Sequence, residues 1–296
     1  MAQKLTGKSA VVTGAGSTSG IGRAVALALA AEGAKVVVND VWKDPDGTWG
    51  ADRVVKEIKK ANGIAVASYD SVTTLSGGEK IIKTAITNFG RIDILVNCAG
   101  NLSGGSLATM TDDDWDSVML VHLKGHLSCC KAAIPEMIKQ KSGRIINFSS
   151  RGAFPTIPIG MPLPAAGAAR PVGNPAYSTA KAGILGFTAT LSPQLNAYGI
   201  TMNAILPSAN TPLFPGTTPR GGDVPDTLSM DPDFVPPIIV YLATDEAQNI
   251  TGQFIYASGG DLCIYARPLQ PRTFIRKIGK WTVDELSKVI PPLRIS

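Results

Sequence analysis

The sequence predicts an α/β fold, a single domain built on a doubly wound sheet of seven parallel strands. Two observations carry that prediction. Short runs rich in Val and Ile alternate with longer amphipathic stretches, the pattern of βαβ units. The first run also breaks into a glycine turn that leads straight into an Ala-rich helix. The strand-like runs are Ser9–Thr13, Ala34–Asn39, Ile64–Ser68, Ile92–Asn97, Arg144–Ser149, Thr201–Leu206 and Gln253–Ala257. Helical segments between them are Ile21–Glu32, Gly50–Ala61, Gly78–Phe89, Asp112–Gln140, Ala176–Tyr198 and Pro236–Thr244. Right-handed crossovers then place helices on both faces of the sheet. Pro193 lies inside the fifth helix, where it removes one backbone hydrogen bond, so a kink or an early end is expected there.

Three stretches interrupt the rhythm. Residues 152–175 hold Pro155, Pro158, Pro162, Pro164, Pro171 and Pro175, too many for a helix or central strand, and read as an irregular insertion. Residues 212–237 are similarly rich in Pro and Gly, and a loop of that length in a compact domain reads as a substrate lid. The body of the fold therefore spans 1–266. Residues 267–296 form a basic tail in which Thr282-Val283-Asp284-Glu285 opens a short helix stopped by Pro291-Pro292.

Composition bounds the function. Hydrophobic residues make up 44% and charged residues 17%, enough apolar material for a sizeable core and too few charges for a disordered chain. No apolar run approaches the ~20 residues of a membrane span, and Met1–Leu5 lacks the apolar segment of an export signal, so a cytoplasmic protein without a membrane partner is expected. The four cysteines, Cys98, Cys129, Cys130 and Cys263, form no CxxC pair, and neither a disulfide framework nor a metal site is expected. The net charge of +5 lies wholly in the tail, where seven basic residues from Arg267 onward face only Asp284 and Glu285. A neutral body argues against a nucleic-acid partner, which needs a basic stripe on the folded surface. The tail could hold an anionic substrate near the site, or simply pack through Phe274, Ile275, Ile278, Trp281 and Leu286; burial of those side chains favours packing.

The glycine turn runs Thr13-Gly14-Ala15-Gly16-Ser17-Thr18-Ser19-Gly20-Ile21-Gly22. Strand, glycines and helix N-terminus are the parts of a Rossmann-type pyrophosphate cradle: glycines let the backbone approach, and free helix N–H groups face the anion. A tight βα connection would look the same in isolation. Asp40, eighteen residues beyond Gly22 at the end of the second strand, is spaced to accept hydrogen bonds from an adenosine ribose, and the two signals reinforce each other. Such a carboxylate opposes the 2′-phosphate of NADP, which makes NAD the expected cofactor. Lys43 is the nearest cation in sequence that could offset it. Tyr177 and Lys181 sit at i and i+4, on one face of a helix. A cation beside a phenol lowers its pKa, making Tyr177 a candidate general acid/base for an alcohol, though alone the pair is common on helix surfaces.

Taken together these residues resemble the short-chain dehydrogenase/reductase family over about residues 5–266. Asn97, Ala99 and Gly100 are similar to its NxAG turn after the fourth strand, Asp70 to the aspartate that meets adenine, and Pro207 and Thr211 to the segment that contacts the nicotinamide carboxamide. The resemblance implies that Ser150 holds the substrate oxygen beside Tyr177, that Lys181 also binds the nicotinamide ribose, and that the enzyme is a homodimer or homotetramer through the fourth and fifth helices. Three departures stand out. Gly14 and Gly20 are separated by five residues, two more than usual; His122 stands where an asparagine relay residue is common; and 14 extra residues separate Ser150 from Tyr177. Within the family the chain is most similar to the (3R)-hydroxyacyl-CoA dehydrogenase branch, in Val38-Asn39-Asp40, Ala51–Val55, Tyr69–Val72, Gly78-Glu79-Lys80 and His122 within Val121–Gly125. There His122 is ordinary, and a 3-hydroxyacyl thioester becomes a candidate substrate. The expected activity is hydride transfer between NAD(H) and a secondary alcohol or its ketone. A nucleotide-sensing protein without turnover and an imine or enoyl reductase are the alternatives.

Overall fold

A computed structural model describes residues 3–153, 174–215 and 229–265. By internal contacts the chain divides into Met1–Ile264 and Tyr265–Ser296. The tail, most of the proline-rich insertion and the centre of the expected lid lie outside the described residues.

The sheet has eight strands where seven are expected. They are β1 (Ser9–Thr13), β2 (Lys35–Asn39), β3 (Ile64–Ser68), β4 (Ile94–Asn97), β5 (Gly143–Phe148), β6 (Ile200–Pro207), β7 (Phe254–Ser258) and β8 (Asp261–Tyr265), in the order β3-β2-β1-β4-β5-β6-β7-β8. All pairings from β3 to β7 are parallel. The extra strand returns after only Gly259 and Gly260, a connection too short for anything but an antiparallel hairpin. It escapes a periodicity reading because it is an edge: Asp261, Leu262 and Ile264 are exposed, so no buried face alternates with a wet one.

Side chains alternate across the strands as the period of two requires. Val36 and Val38 face one core with Val25, Leu29, Val54, Ile58 and Leu242, beneath α1 (Ile21–Ala31), α2 (Gly50–Lys60) and α7 (Pro236–Ala243). Val37 faces the other with Ile81, Ile82, Met137, Leu195 and Met202, beneath α3 (Leu75–Phe89), α5 (Gly125–Gln140) and α6 (Pro175–Asn196). Each fully buried Val, Leu or Ile contributes about 1.5–3 kcal/mol, so the two layers fix the register on both faces.

The fourth helical segment is not uniform. It comprises α4 (Asp112–Met119), capped by Thr111 and Asp114 in a reciprocal box, then a π turn over Leu120–Lys124, then α5. One extra residue in the turn re-aims the side chains around His122, and such turns concentrate at functional sites. The helix α6 begins one residue earlier than expected, because Asn174 caps it by accepting from Tyr177 N at 2.9 Å. It ends at Asn196, three residues after Pro193 and short of Tyr198. No described helix is long and apolar enough to cross a membrane.

Candidate active site

Parallel strands bring their C-terminal ends to one edge of the sheet, and the strand order reverses between β1 and β4, which opens a crevice there. Most of the candidate residues fall on that edge: the glycine turn after β1, Asp40 after β2, Asp70 after β3, Ala99 and Gly100 after β4, Ser150 after β5, and Pro207 and Thr211 at and beyond the end of β6. A cleft at its mouth is lined by Ser19, Thr211, Pro212, Met230 and Pro232.

The glycine turn has the form a pyrophosphate needs. Gly14 has φ +66°, and a Cβ there would meet Ala99 Cα at 2.6 Å. A Cβ on Gly22 would lie 2.3 Å from the Gly14 carbonyl oxygen, so the start of α1 can approach the turn only without a side chain. The N-cap of α1, Gly20, offers no side-chain hydrogen bond, and no acidic residue occupies the first turn. The N–H groups around Ile21 are thus left to an anionic ligand. Thr13 Oγ1 accepts from Cys98 N and Ala99 N at 3.1 and 3.2 Å, tying the turns after β1 and β4 together. Asn97 works deeper, donating through Nδ2 to Asn147 Oδ1 at 3.0 Å between β4 and β5.

Both oxygens of Asp40 are oriented by the backbone: Oδ2 accepts from Gly16 N at 2.7 Å and Oδ1 from Trp42 N at 2.9 Å. A carboxylate has about four acceptor positions, so two are left for ribose hydroxyls. Lys43, the nearest cation in sequence, places its ammonium 4.2 Å from the centre of the Trp49 ring instead. Arg53 is the cation that approaches the turn, donating to Gly16 O at 2.7 Å. Asp70 receives Asn39 Nδ2 on its carbonyl at 2.9 Å, which fixes the loop after β3 beside Asp40, and its carboxylate lies 3.6 Å from Lys80.

At the other end of the crevice Ser150, Tyr177 and Lys181 converge. Ser150 Oγ accepts from Gly152 N at 3.0 Å, and its hydroxyl is near enough to the Tyr177 phenol to favour the ionised form. The Lys181 ammonium sits 5.5 Å from the Tyr177 ring and donates to Phe148 O at 2.6 Å. Ser149 Oγ donates to Lys181 O at 2.8 Å, so adjacent serines serve the two ends of the constellation. The Tyr177 ring is held edge-on by His122, 5.3 Å between centres, and by Phe214 at 5.5 Å.

A model of the short chain dehydrogenase family matches residues 8–214. The chain belongs to that family. Short-chain dehydrogenases are nicotinamide-dependent oxidoreductases acting on small molecules, and the protein is an enzyme of this class. It is 42% identical over 267 residues to the peroxisomal hydratase-dehydrogenase-epimerase of Neurospora crassa, covering 88% of this chain and 27% of that one. With the peroxisomal multifunctional enzyme type 2 of Mus musculus it shares 38% over 260 residues, 86% of this chain and 32% of the other. The chain thus spans about a quarter to a third of the length of these multifunctional relatives. It covers 97% of a 3-oxoacyl-[acyl-carrier-protein] reductase from Synechocystis at 39% identity. A short chain dehydrogenase crystal structure from Mycobacterium avium superposes with TM-score 0.82 at 35% identity, over 98% of this chain and 95% of that one.

One expectation for this short-chain dehydrogenase needs correction. Lys181 does not bring the Tyr177 pKa down in this structure; burial dominates and pushes the phenol up to about 12, with the nearby Ser150 hydroxyl opposing it. Burial likewise pulls Lys181 down to about 8. His122 is fully buried, and burial followed by the Lys181 charge lowers it to about 2, so its imidazole is neutral. Its Nε2 lies 2.8 Å from Asn101 O, while the His122 carbonyl accepts from His126 Nδ1 at 2.5 Å. His122 therefore braces Tyr177 and the loop after β4 rather than exchanging protons through its ring. Among the described residues no group of three or more His, Cys, Asp or Glu could hold a metal ion.

Arg53, Asn174 and His126 are functional neighbours that sequence reasoning missed. Asn174 left a signal, since Asn followed by Pro marks an N-cap with Pro at the first helical position. Arg53 left none, because its partner, the Gly16 carbonyl, is brought within reach only by the packing of α2 on the glycine turn.

Proposed function

We propose that the protein transfers a hydride between NAD(H) and a secondary alcohol or its ketone, with 3-hydroxyacyl thioesters as the favoured substrate class. The observation that carries this reading is the convergence of Ser150, Tyr177 and Lys181 at the end of the crevice that begins at the glycine turn. The glycine turn and the free end of α1 hold the pyrophosphate, Asp40 the adenosine ribose, and Lys181 the nicotinamide ribose. The nicotinamide supplies the hydride acceptor and, when oxidised, a positive ring charge. Ser150 orients the substrate oxygen, and Tyr177 exchanges the proton on that oxygen. The names of the multifunctional relatives and of the acyl-carrier-protein reductase support a thioester substrate.

Asp40 supports NAD over NADP, because a 2′-phosphate would meet a carboxylate whose orientation is fixed and whose charge Lys43, stacked on Trp49, does not offset. A homodimer or homotetramer is supported by Leu120 and Leu127, which are exposed on the long segment built from α4 and α5. A cytoplasmic location is proposed; two relatives are peroxisomal by name, and a fluorescent fusion separates the compartments. The test of activity is absorbance at the reduced-nicotinamide band with NAD or NADP and two substrate sets, simple secondary alcohols and (3R)-hydroxyacyl thioesters. Turnover of both sets with NAD, faster on thioesters, is expected. Stoichiometric nucleotide binding without any turnover would overturn the reading in favour of a sensor.

A further inference from the structure

The glycine turn carries two residues more than its family pattern, and a longer loop has more conformations to lose when it closes on a ligand. Its root is nevertheless held from three sides at a single residue. Gly16 N donates to Asp40 Oδ2 at 2.7 Å, and Gly16 O accepts from Arg53 Nη2 at 2.7 Å. The backbone of Gly50, at the start of α2, packs so tightly that a Cβ there would lie 2.2 Å from the same carbonyl oxygen.

Arg53 is itself braced. Its Nε donates to Asp44 Oδ2 at 3.0 Å, a second contact reaches Asp44 Oδ1 at 3.4 Å, and Glu57 lies 3.7 Å from Nη1. Asp44 belongs to the short hairpin after β2, closed by Asp44 N to Thr48 O at 2.8 Å and Gly50 N to Trp42 O at 3.0 Å. The Arg53 side chain is about three-quarters buried, where a charge-assisted bond to a carbonyl is stronger than a neutral one. Asp44, Arg53, Gly16 and Asp40 thus form one continuous chain, from the hairpin through the turn to the carboxylate that faces the ribose.

We propose that Arg53 is a positioning residue for the adenosine half of the dinucleotide: it holds the Gly16 carbonyl, and through Gly16 fixes both the root of the lengthened turn and the Asp40 carboxylate. This rests on the reading of the crevice as a dinucleotide site. Removal of the guanidinium frees the Gly16 peptide to rotate, and the cost falls on ligands that contact the turn and Asp40. It does not fall on the nicotinamide end, which Ser150, Tyr177 and Lys181 organise independently.

The experiment is isothermal titration of the full chain with NAD, AMP and nicotinamide mononucleotide, for the wild type, Arg53→Met and Arg53→Lys, alongside kcat and KM for NAD. Arg53→Met is expected to raise the Kd of NAD and of AMP about tenfold, equivalent to about 1.4 kcal/mol. Mononucleotide affinity and kcat at saturating NAD are expected to stay within about twofold. Arg53→Lys, which keeps the charge but loses the fork that serves Asp44 and Gly16 together, is expected to fall between. An AMP Kd within about twofold of wild type, or a fall in kcat and mononucleotide affinity as large as that for AMP, would overturn the proposal. If Arg53→Met shows no cooperative unfolding, Asp44→Asn loosens the same guanidinium, and a rise in AMP Kd below about twofold there overturns it as well. Wild-type protein that binds neither NAD nor NADP sinks both this inference and the cofactor reading; binding by the wild type with unaltered variants sinks only this one.

Discussion

Lys181 gives a prediction in which stability and function oppose each other. Its ammonium is buried, and its pKa falls from 10.5 to about 8, because burial disfavours the charged form. At 1.36 kcal/mol for each pH unit, keeping the charge there costs the nucleotide-free fold about 3 kcal/mol at pH 7. The cost is complete below pH 8. It is relieved between pH 8 and 10.5, where the folded protein has released the proton and the unfolded chain still binds it, so stability rises with pH in that window. By the same relation about 1 kcal/mol is left at pH 9.5. Lys181→Met keeps most of the side-chain volume and removes the charge, but forfeits the bond to Phe148 O, worth about 1–2 kcal/mol. The variant is therefore expected to be more stable than wild type by about 1–2 kcal/mol at pH 7, and to lose that advantage by pH 9.5, while turnover disappears. Urea unfolding of nucleotide-free protein at the two pH values checks it. A variant less stable at pH 7, or an advantage that does not change with pH, would refute the reasoning.

Other perturbations probe the remaining parts of the site. Tyr177→Phe is expected to lower turnover by at least about 10²-fold with NAD affinity nearly unchanged, since the ring stays packed against His122 and Phe214; retention of more than about a tenth of wild-type turnover refutes the acid/base role. Wild-type enzyme should prefer NAD over NADP by on the order of 10²-fold in catalytic efficiency, a preference that Asp40→Ser relaxes while weakening both coenzymes through the lost Gly16 bond; equal use of NADP by the wild type excludes the ribose contact. Gly22→Ala places a Cβ 2.3 Å from the Gly14 carbonyl oxygen, against backbone that cannot swing aside, and should destabilise the protein by about 2–3 kcal/mol and weaken AMP binding; a melting temperature within about 1 °C of wild type contradicts that geometry.

Local chemistry makes much of this protein legible in its sequence. Alternating Val-rich strands and amphipathic helices predict the doubly wound sheet, since each side chain's period follows from its own backbone. Strand ends between helices place Gly14, Asp40, Ser150 and Pro207 on one edge, because parallel strands share a direction. β8 was invisible because an exposed edge strand has no buried face to advertise itself. The π turn at Leu120–Lys124 was equally hidden, since one extra residue in a helix leaves the composition unchanged.

What the sequence by itself determined is the set of residue types and their order: a glycine turn, a carboxylate after β2, and Tyr177 one helical turn before Lys181. Only the tertiary structure decided how their charges behave. Proximity in sequence suggested that Lys181 would lower the Tyr177 pKa, but burial, a property of everything packed around the pair, raises the phenol to about 12 and lowers the amine to about 8. Likewise Lys43 is three residues from Asp40 and stacks on Trp49, whereas Arg53, thirteen residues away, reaches the glycine turn. The cost of an ion depends on the volume of protein that displaces its water, and that volume is assembled from distant segments of the chain.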